Sequence, residues 1–252
     1  MPILTIAARE LRSLFLSPLA WAILAVVQII IGYMFLINIE AFMQVQPRLA
    51  ALEGAPGLTD IIIAPLLGST AIVLLLVVPM LTMRLISEER RSRTLSLLFS
   101  APVSMTEIIL GKYLGIVGFL FIMLGMIALM PLSLLVGGTL DGGQFGAGLL
   151  GLALLLASFA ALGLFMSALT AQPAVAAVSS FGILLLLWII DWAGNAAENT
   201  ASGLFGYLSL VRHYESLLKG VFNSSDVIYY LLFIITFLAL SIRRLDADRL
   251  QH

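Results

Sequence analysis

The sequence predicts an all-α integral membrane protein with six transmembrane helices, and three observations predict it. Of the 252 residues, 61% are hydrophobic and only 11% charged, and mean hydropathy is +1.11. A soluble domain carries about 25% charged residues, so a bilayer has to solvate much of this apolar surface. Six separate apolar runs are each long enough, at 1.5 Å per residue, to cross ~30 Å of hydrocarbon. The basic residues also crowd into the connections on one side. Net charge is −1, so no global basic field points to nucleic acid, and the absence of cysteine excludes disulfides, thiolate metal sites and cysteine nucleophiles.

Residues 3–16 come first. Ile3, Ile6, Ala7, Leu11, Leu14 and Phe15 recur at helical spacing with Arg9, Glu10, Arg12 and Ser13 opposite them. This is the pattern of an amphipathic helix in the membrane interface, ending near Ser17-Pro18; the alternative is a frayed start of the first span. The segment is too charged for a cleavable leader and is expected to stay on the chain.

The spans are expected at about 19–39, 61–83, 106–136, 146–169, 173–192 and 226–242. The third is too long for a perpendicular crossing, so it should tilt, kink near Pro131 or extend beyond the membrane. Thr170–Gln172 leaves room only for a very tight turn. Glycines at 111, 115 and 118, at 146, 148 and 151, and the pair Ser179 and Gly182 give small faces where helices can approach closely.

Orientation follows from Lys and Arg. With both termini inside, Arg9, Arg12, Arg84, Arg90, Arg91, Arg93, Lys112, Arg243, Arg244 and Arg249 all lie inside, ten of the 13 basic residues. Only Arg48, Arg212 and Lys219 fall outside. Between the fifth and sixth spans, Leu204, Tyr207, Leu208, Val211, Tyr214, Leu218, Val221 and Phe222 form a stripe, with Arg212, His213, Glu215, Ser216 and Lys219 falling away from it. This predicts an amphipathic helix at the outer surface.

The inner connection at 83–115 is the one long polar segment on its side. Ser87, Glu88 and Glu89 place acids in the first turn of a helix, Arg90, Arg91 and Arg93 follow, and Thr94, Leu95, Leu97, Leu98 and Phe99 complete an apolar stripe. Ala101-Pro102 stops this helix, expected over about 87–100. Ser104 and Glu107 match a capping box opening the third span. A short two-faced helix between spans suits docking into a partner's groove; by pattern alone, most such segments are loops that only anchor topology.

At these residues the chain resembles the permease subunits of type 2 ABC exporters, and most closely the gliding-motility-associated permeases. The likeness rests on the opening basic helix with Ser17-Pro18, PMLTMRLISEERR at 79–91, SAPVSMTEIILGKYLG at 100–115, GLFMSALTAQPAVAAVSSFGILLLLW at 163–188 and YLSLVRHYESLLKGVFNSSDVIYYL at 207–231. It covers essentially the whole chain as one permease domain. It departs in carrying Ser96 where family members often have an acidic residue.

The resemblance implies two permeases, the same or related chains, paired with two ATP-binding subunits. It also allows a periplasmic or auxiliary membrane subunit. The 87–100 segment would be the coupling helix that docks into each ATPase, with Glu88, Glu89, Arg91, Thr94, Leu97 and Leu98 as the contact residues. The location implied is the bacterial inner membrane, multi-pass, with both termini cytoplasmic. The family places the dimer seam around the outer part of the second and fifth spans.

The sequence agrees that this chain is not itself the enzyme. No G-x-x-x-x-G-K-[ST] loop occurs, and Gly111-Lys112 lacks the upstream glycine and is followed by Tyr113. ATP and magnesium are therefore expected in the partner, with no cofactor or metal in this chain. A secondary transporter would need ionisable groups at depth, and the spans carry almost none; a passive scaffold is the other rival. Gln28, mid-span, is expected to bond between helices. Met123, Met126 and Met130 share a helical face, which suits packing better than a Cu(I) path. His213 and His252 have no metal-binding spacing. Mostly apolar walls suit lipid-like or amphipathic cargo.

Overall fold

A computed structural model describes residues 2–49, 57–94, 103–136, 140–196 and 208–250, with side chains described except at 48, 49, 136, 191–196 and 250. Among the described residues the chain is all helix. The elements are α1 (Pro2–Leu16), α2 (Pro18–Leu49), a π-turn at Thr59–Ile63 leading into α3 (Ala64–Thr82), α4 (Ser87–Arg91), α5 (Met105–Leu132), α6 (Gly142–Leu169), α7 (Pro173–Ala196), α8 (Leu210–Leu218) and α9 (Ser224–Leu250). Six of these segments are long and apolar enough to span a membrane: 18–47, 59–91, 105–135, 142–169, 173–190 and 224–249. They match the six expected runs in order.

The bundle is built around α6. In its most apolar stretch 72% of residues are buried, against 22% in α2 and 17% in α7. Helices α3, α5, α7, α8 and α9 all pack on α6. Its small residues explain this position. A Cβ on Gly163 would lie 2.1 Å from Thr82 Oγ1, so the Thr82 side chain of α3 lies directly against the α6 backbone. The peripheral helices keep large apolar side chains outward, among them Val26, Ile29, Tyr33 and Leu36 on α2 and Val178 and Leu186 on α7. In water this surface would be unstable; in hydrocarbon it is solvated.

Helix boundaries follow local chemistry. Ser104 and Glu107 form the expected capping box, with Glu107 N–H donating to Ser104 Oγ (3.2 Å) and Ser104 N–H to Glu107 Oε2 (2.9 Å). Asp141 caps α6 by accepting from Gly143 N–H (2.9 Å) and Gln144 N–H (3.1 Å). The third span runs α-helical through Pro131 to Leu132 and then tightens into a 3₁₀ turn at Ser133–Val136. The turn at Thr170–Gln172 is as tight as expected, with Gln172 N–H bonded to Thr170 Oγ1 (3.1 Å).

Two expectations need correction. The glycines at 111 and 115 do not bring two spans together. A Cβ on Gly111 would meet Ile6 at 2.6 Å, and one on Gly115 would meet Glu10 Cβ at 2.7 Å, so they form a trough in α5 into which the amphipathic α1 is pressed. Gln28 does not make the interhelical bond through its amide nitrogen, which is buried with no partner among the described residues. Met123 is buried in the core, and Met126 is 42% exposed.

The amphipathic helix before the last span is α8, rotated and shorter than its sequence stripe suggests. Its buried face is Leu210, His213, Tyr214 and Leu217, while Val221 and Phe222 are exposed; residues 204–207 lie outside the described residues. The rotation has a cause in α9. His213 Nδ1 sits 2.6 Å from Asp226 Oδ1 and its ring stacks on Tyr229 at 4.1 Å, so a buried carboxylate draws the imidazole inward. Gly220, in a left-handed conformation at φ 75°, then ends the helix and turns Val221 away. Tyr214 donates to the Leu67 carbonyl (2.9 Å), and its burial pushes the phenol pKa upward.

Candidate functional site

The long polar connection folds into a compact elbow at one end of the bundle, the end that also holds α1 and the C-terminal turns of α9. After α3 the chain makes a turn at 83–86 and starts α4 at Ser87. The acids Glu88 and Glu89 occupy the first turn of α4 and Arg90 and Arg91 the last, each in its favoured position along the helix dipole.

The helix expected over 87–100 closes at Arg91. Thr94 N–H reaches back to the Glu89 carbonyl (3.0 Å) and Arg93 N–H to the Arg90 carbonyl (3.3 Å), with Arg93 left-handed at φ 57°. This is a Schellman cap with arginine in the place usually taken by glycine. Thr94 is therefore already outside the helix. Leu97, Leu98 and Ser96 lie outside the described residues.

Three latches hold the elbow. The first is a hydroxyl: Ser167 Oγ on α6 accepts from the N–H groups of Ile86 and Ser87 (3.0 Å each) and donates to the Met83 carbonyl (3.0 Å). A serine eighty residues downstream thus supplies the N-terminal cap that no residue within α4 provides. The second is Lys112 of α5, whose side chain is only 6% exposed. Its Nζ donates to Glu89 Oε1 at 2.7 Å and lies 3.5 Å from Glu10 Oε2 on α1. The third is Arg90, which donates to the Ala168 carbonyl (2.8 Å) and pairs with Asp248 on α9, itself paired with Arg244 (3.5 Å).

Of the six contact residues inferred from sequence, the structure divides the four it describes. Glu88, Arg91 and Thr94 are exposed, and Glu88 faces Arg84 at 4.0 Å. Glu89 turns inward to Lys112 and contributes to the elbow's foundation. Between the elbow and the 170–172 turn lies an open groove of about 1040 Å³ whose walls include Arg84, Arg90, Arg91 and Arg93, with Glu88 as the acid. This surface favours an acidic segment.

Ser167, Asp248 and Glu10 had no signal marking them in the sequence. Their roles come from pairs separated by up to 158 positions, and no local pattern encodes such a pairing. Lys112 could have been suspected, being a lone cation about two turns inside an apolar span.

Residues 4–250 match the family described as ABC-2 family transporter protein. A comparison with curated proteins found no match.

Proposed function

The chain belongs to the ABC-2 transporter family, and on that premise we propose that it is the permease half of an ATP-driven exporter in the bacterial inner membrane, worked by a separate ATPase that grips the elbow. The observation that carries this reading is the braced elbow itself. Glu88, Arg91 and Thr94 face outward on a platform fixed from behind by Ser167, Lys112 and Asp248. A loop that only set topology would need no such bracing.

The excess of Arg and Lys at this end supports placing it, with both termini, in the cytoplasm. Leu97 and Leu98, by resemblance, complete the contact on its apolar side. Two ATPases binding ATP and magnesium would draw two elbows together. Because each elbow is tied to α5 through Lys112 and to α9 through Arg90, that motion passes to the spans instead of bending the connection. The second permease is a copy of this chain or a relative. The exposed apolar face of α7, with open space over Gly182, supports a lateral seam that includes the fifth span. The blocks at 79–91, 100–115, 163–188 and 207–231 favour the gliding-motility-like branch, where output is cargo movement or force on a periplasmic component.

The test is co-purification with the ATPase encoded beside it. Glu88→Lys and Leu97→Asp should each lose the ATPase and its stimulation relative to wild type. Unchanged pairing together with unchanged stimulation in both variants overturns the proposal.

A further inference from the structure

Beneath α1, at the elbow end, lies a cavity of about 410 Å³ walled by α1, the starts of α2 and α5, the end of α3 and α4. Its charged lining is balanced: Arg9, Arg84 and Lys112 against Glu10, Glu88 and Glu89. Lys112 is committed to Glu89 and Glu10. Arg84 and Glu88 touch only at 4.0 Å, with both side chains at least half exposed. Arg9 makes no ion pair among the described residues, and Glu89 Oε2 is buried there without a hydrogen-bond partner. The cavity wall therefore carries one guanidinium with no ion pair among the described residues, a second held only weakly, and a carboxylate oxygen with no hydrogen-bond partner there.

The remaining walls are apolar, including Leu14, Ala20 and Leu81. Leu19 and Met80 line the cavity while being 37% and 40% exposed, so one side opens toward the surface that hydrocarbon covers. Trp21, exposed and donating to the Phe15 carbonyl (2.8 Å), marks the headgroup level beside it. A polar, charge-neutral chamber with an apolar lip at interface depth fits one kind of molecule, an amphiphile whose head carries both charges.

We propose that this cavity binds the headgroup of a zwitterionic aminophospholipid, with its phosphate on Arg9 and Arg84, its primary ammonium on the carboxylates of Glu89 and Glu10, and its acyl chains leaving past Leu19 and Met80. An anionic lipid meets a lining of zero net charge and leaves the carboxylate unpaired. A quaternary ammonium has no N–H to give to it. A lipid seated there fills the space between α1 and the elbow, so the elbow's stiffness depends on the surrounding lipid.

The test uses the purified full chain in detergent, titrated with short-chain phosphatidylethanolamine, phosphatidylcholine and phosphatidylglycerol and with free O-phosphoethanolamine, reading thermal stability and bound lipid by native mass spectrometry. Phosphatidylethanolamine should bind about tenfold more tightly than the other two lipids, the worth of one charge-assisted hydrogen bond. Arg9→Gln should lose about tenfold for that lipid and Arg9→Lys should recover most of it. The unliganded melting temperature of Arg9→Gln, unchanged because Arg9 holds no partner in the fold, separates lost binding from misfolding. Equal binding of phosphatidylcholine or phosphatidylglycerol overturns the role of the ammonium. Equal stabilisation by free O-phosphoethanolamine overturns the lipid as occupant. Indifference to Arg9→Gln overturns the site.

Discussion

Replacing Lys112 by methionine keeps the length of the side chain and removes its charge. In the structure this cation is 6% exposed and stands between Glu89 (2.7 Å) and Glu10 (3.5 Å), whose side chains are 28% and 22% exposed. Removing one member of a fully buried ion pair costs about 3–5 kcal/mol, because the other charge is left without compensation. Here water reaches the carboxylates in part, so the expected loss is about 2–3 kcal/mol. With the unfolding entropy of a chain this size, that lowers the melting temperature by about 4–12 °C. The measurement is thermal unfolding in detergent of Lys112→Met, Glu89→Gln, the double variant, and Glu88→Gln as control. Glu89→Gln should destabilise by about 1–2 kcal/mol and Glu88→Gln by less than about 0.5 kcal/mol. The double variant should be more stable than the sum of its parts predicts, since the second change removes a carboxylate that the first left unpaired. Additive losses, or a Glu88→Gln variant as damaged as Glu89→Gln, would refute the division between an inward Glu89 and an outward Glu88.

Gly163→Ala should destabilise the bundle by about 1–3 kcal/mol, because its Cβ would lie 2.1 Å from Thr82 Oγ1; thermal unfolding with and without Thr82→Ala checks it, and the second change should recover part of the loss. Arg93→Gly should stabilise the elbow by about 1 kcal/mol by relieving a left-handed arginine, seen as slower amide exchange at Ser92–Thr94. A cycle of Arg90→Ala and Asp248→Asn should give a coupling of about 1 kcal/mol, and each single variant should speed proteolysis at the C-terminal turns of α9.

How much of this was legible in the sequence can be read from particular residues. The spans were, because each apolar run is long and bounded by polar residues, Pro or Gly; so was the capping box, since Ser104 and Glu107 are three residues apart. Helix α8 shows where legibility stops. His213 reads as polar and outward, and only Asp226, on another helix, turns it inward. The glycines of α5 were legible as a close contact, but the partner was not, because a small face does not say what presses against it. At the elbow, Glu88 and Glu89 are neighbours with the same chemistry and the same local signals. What separates them is one buried lysine on a different helix, and that is a fact of tertiary packing.

The last helix is anchored at both of its ends. Asp226 is fastened to α8 by His213, and Asp248 to the elbow by Arg90. Twenty-two residues separate the two carboxylates, roughly 33 Å of rigid rod at 1.5 Å per residue. A pull on the elbow therefore reaches the opposite end of the bundle along a single strut, without any rearrangement of the packed centre.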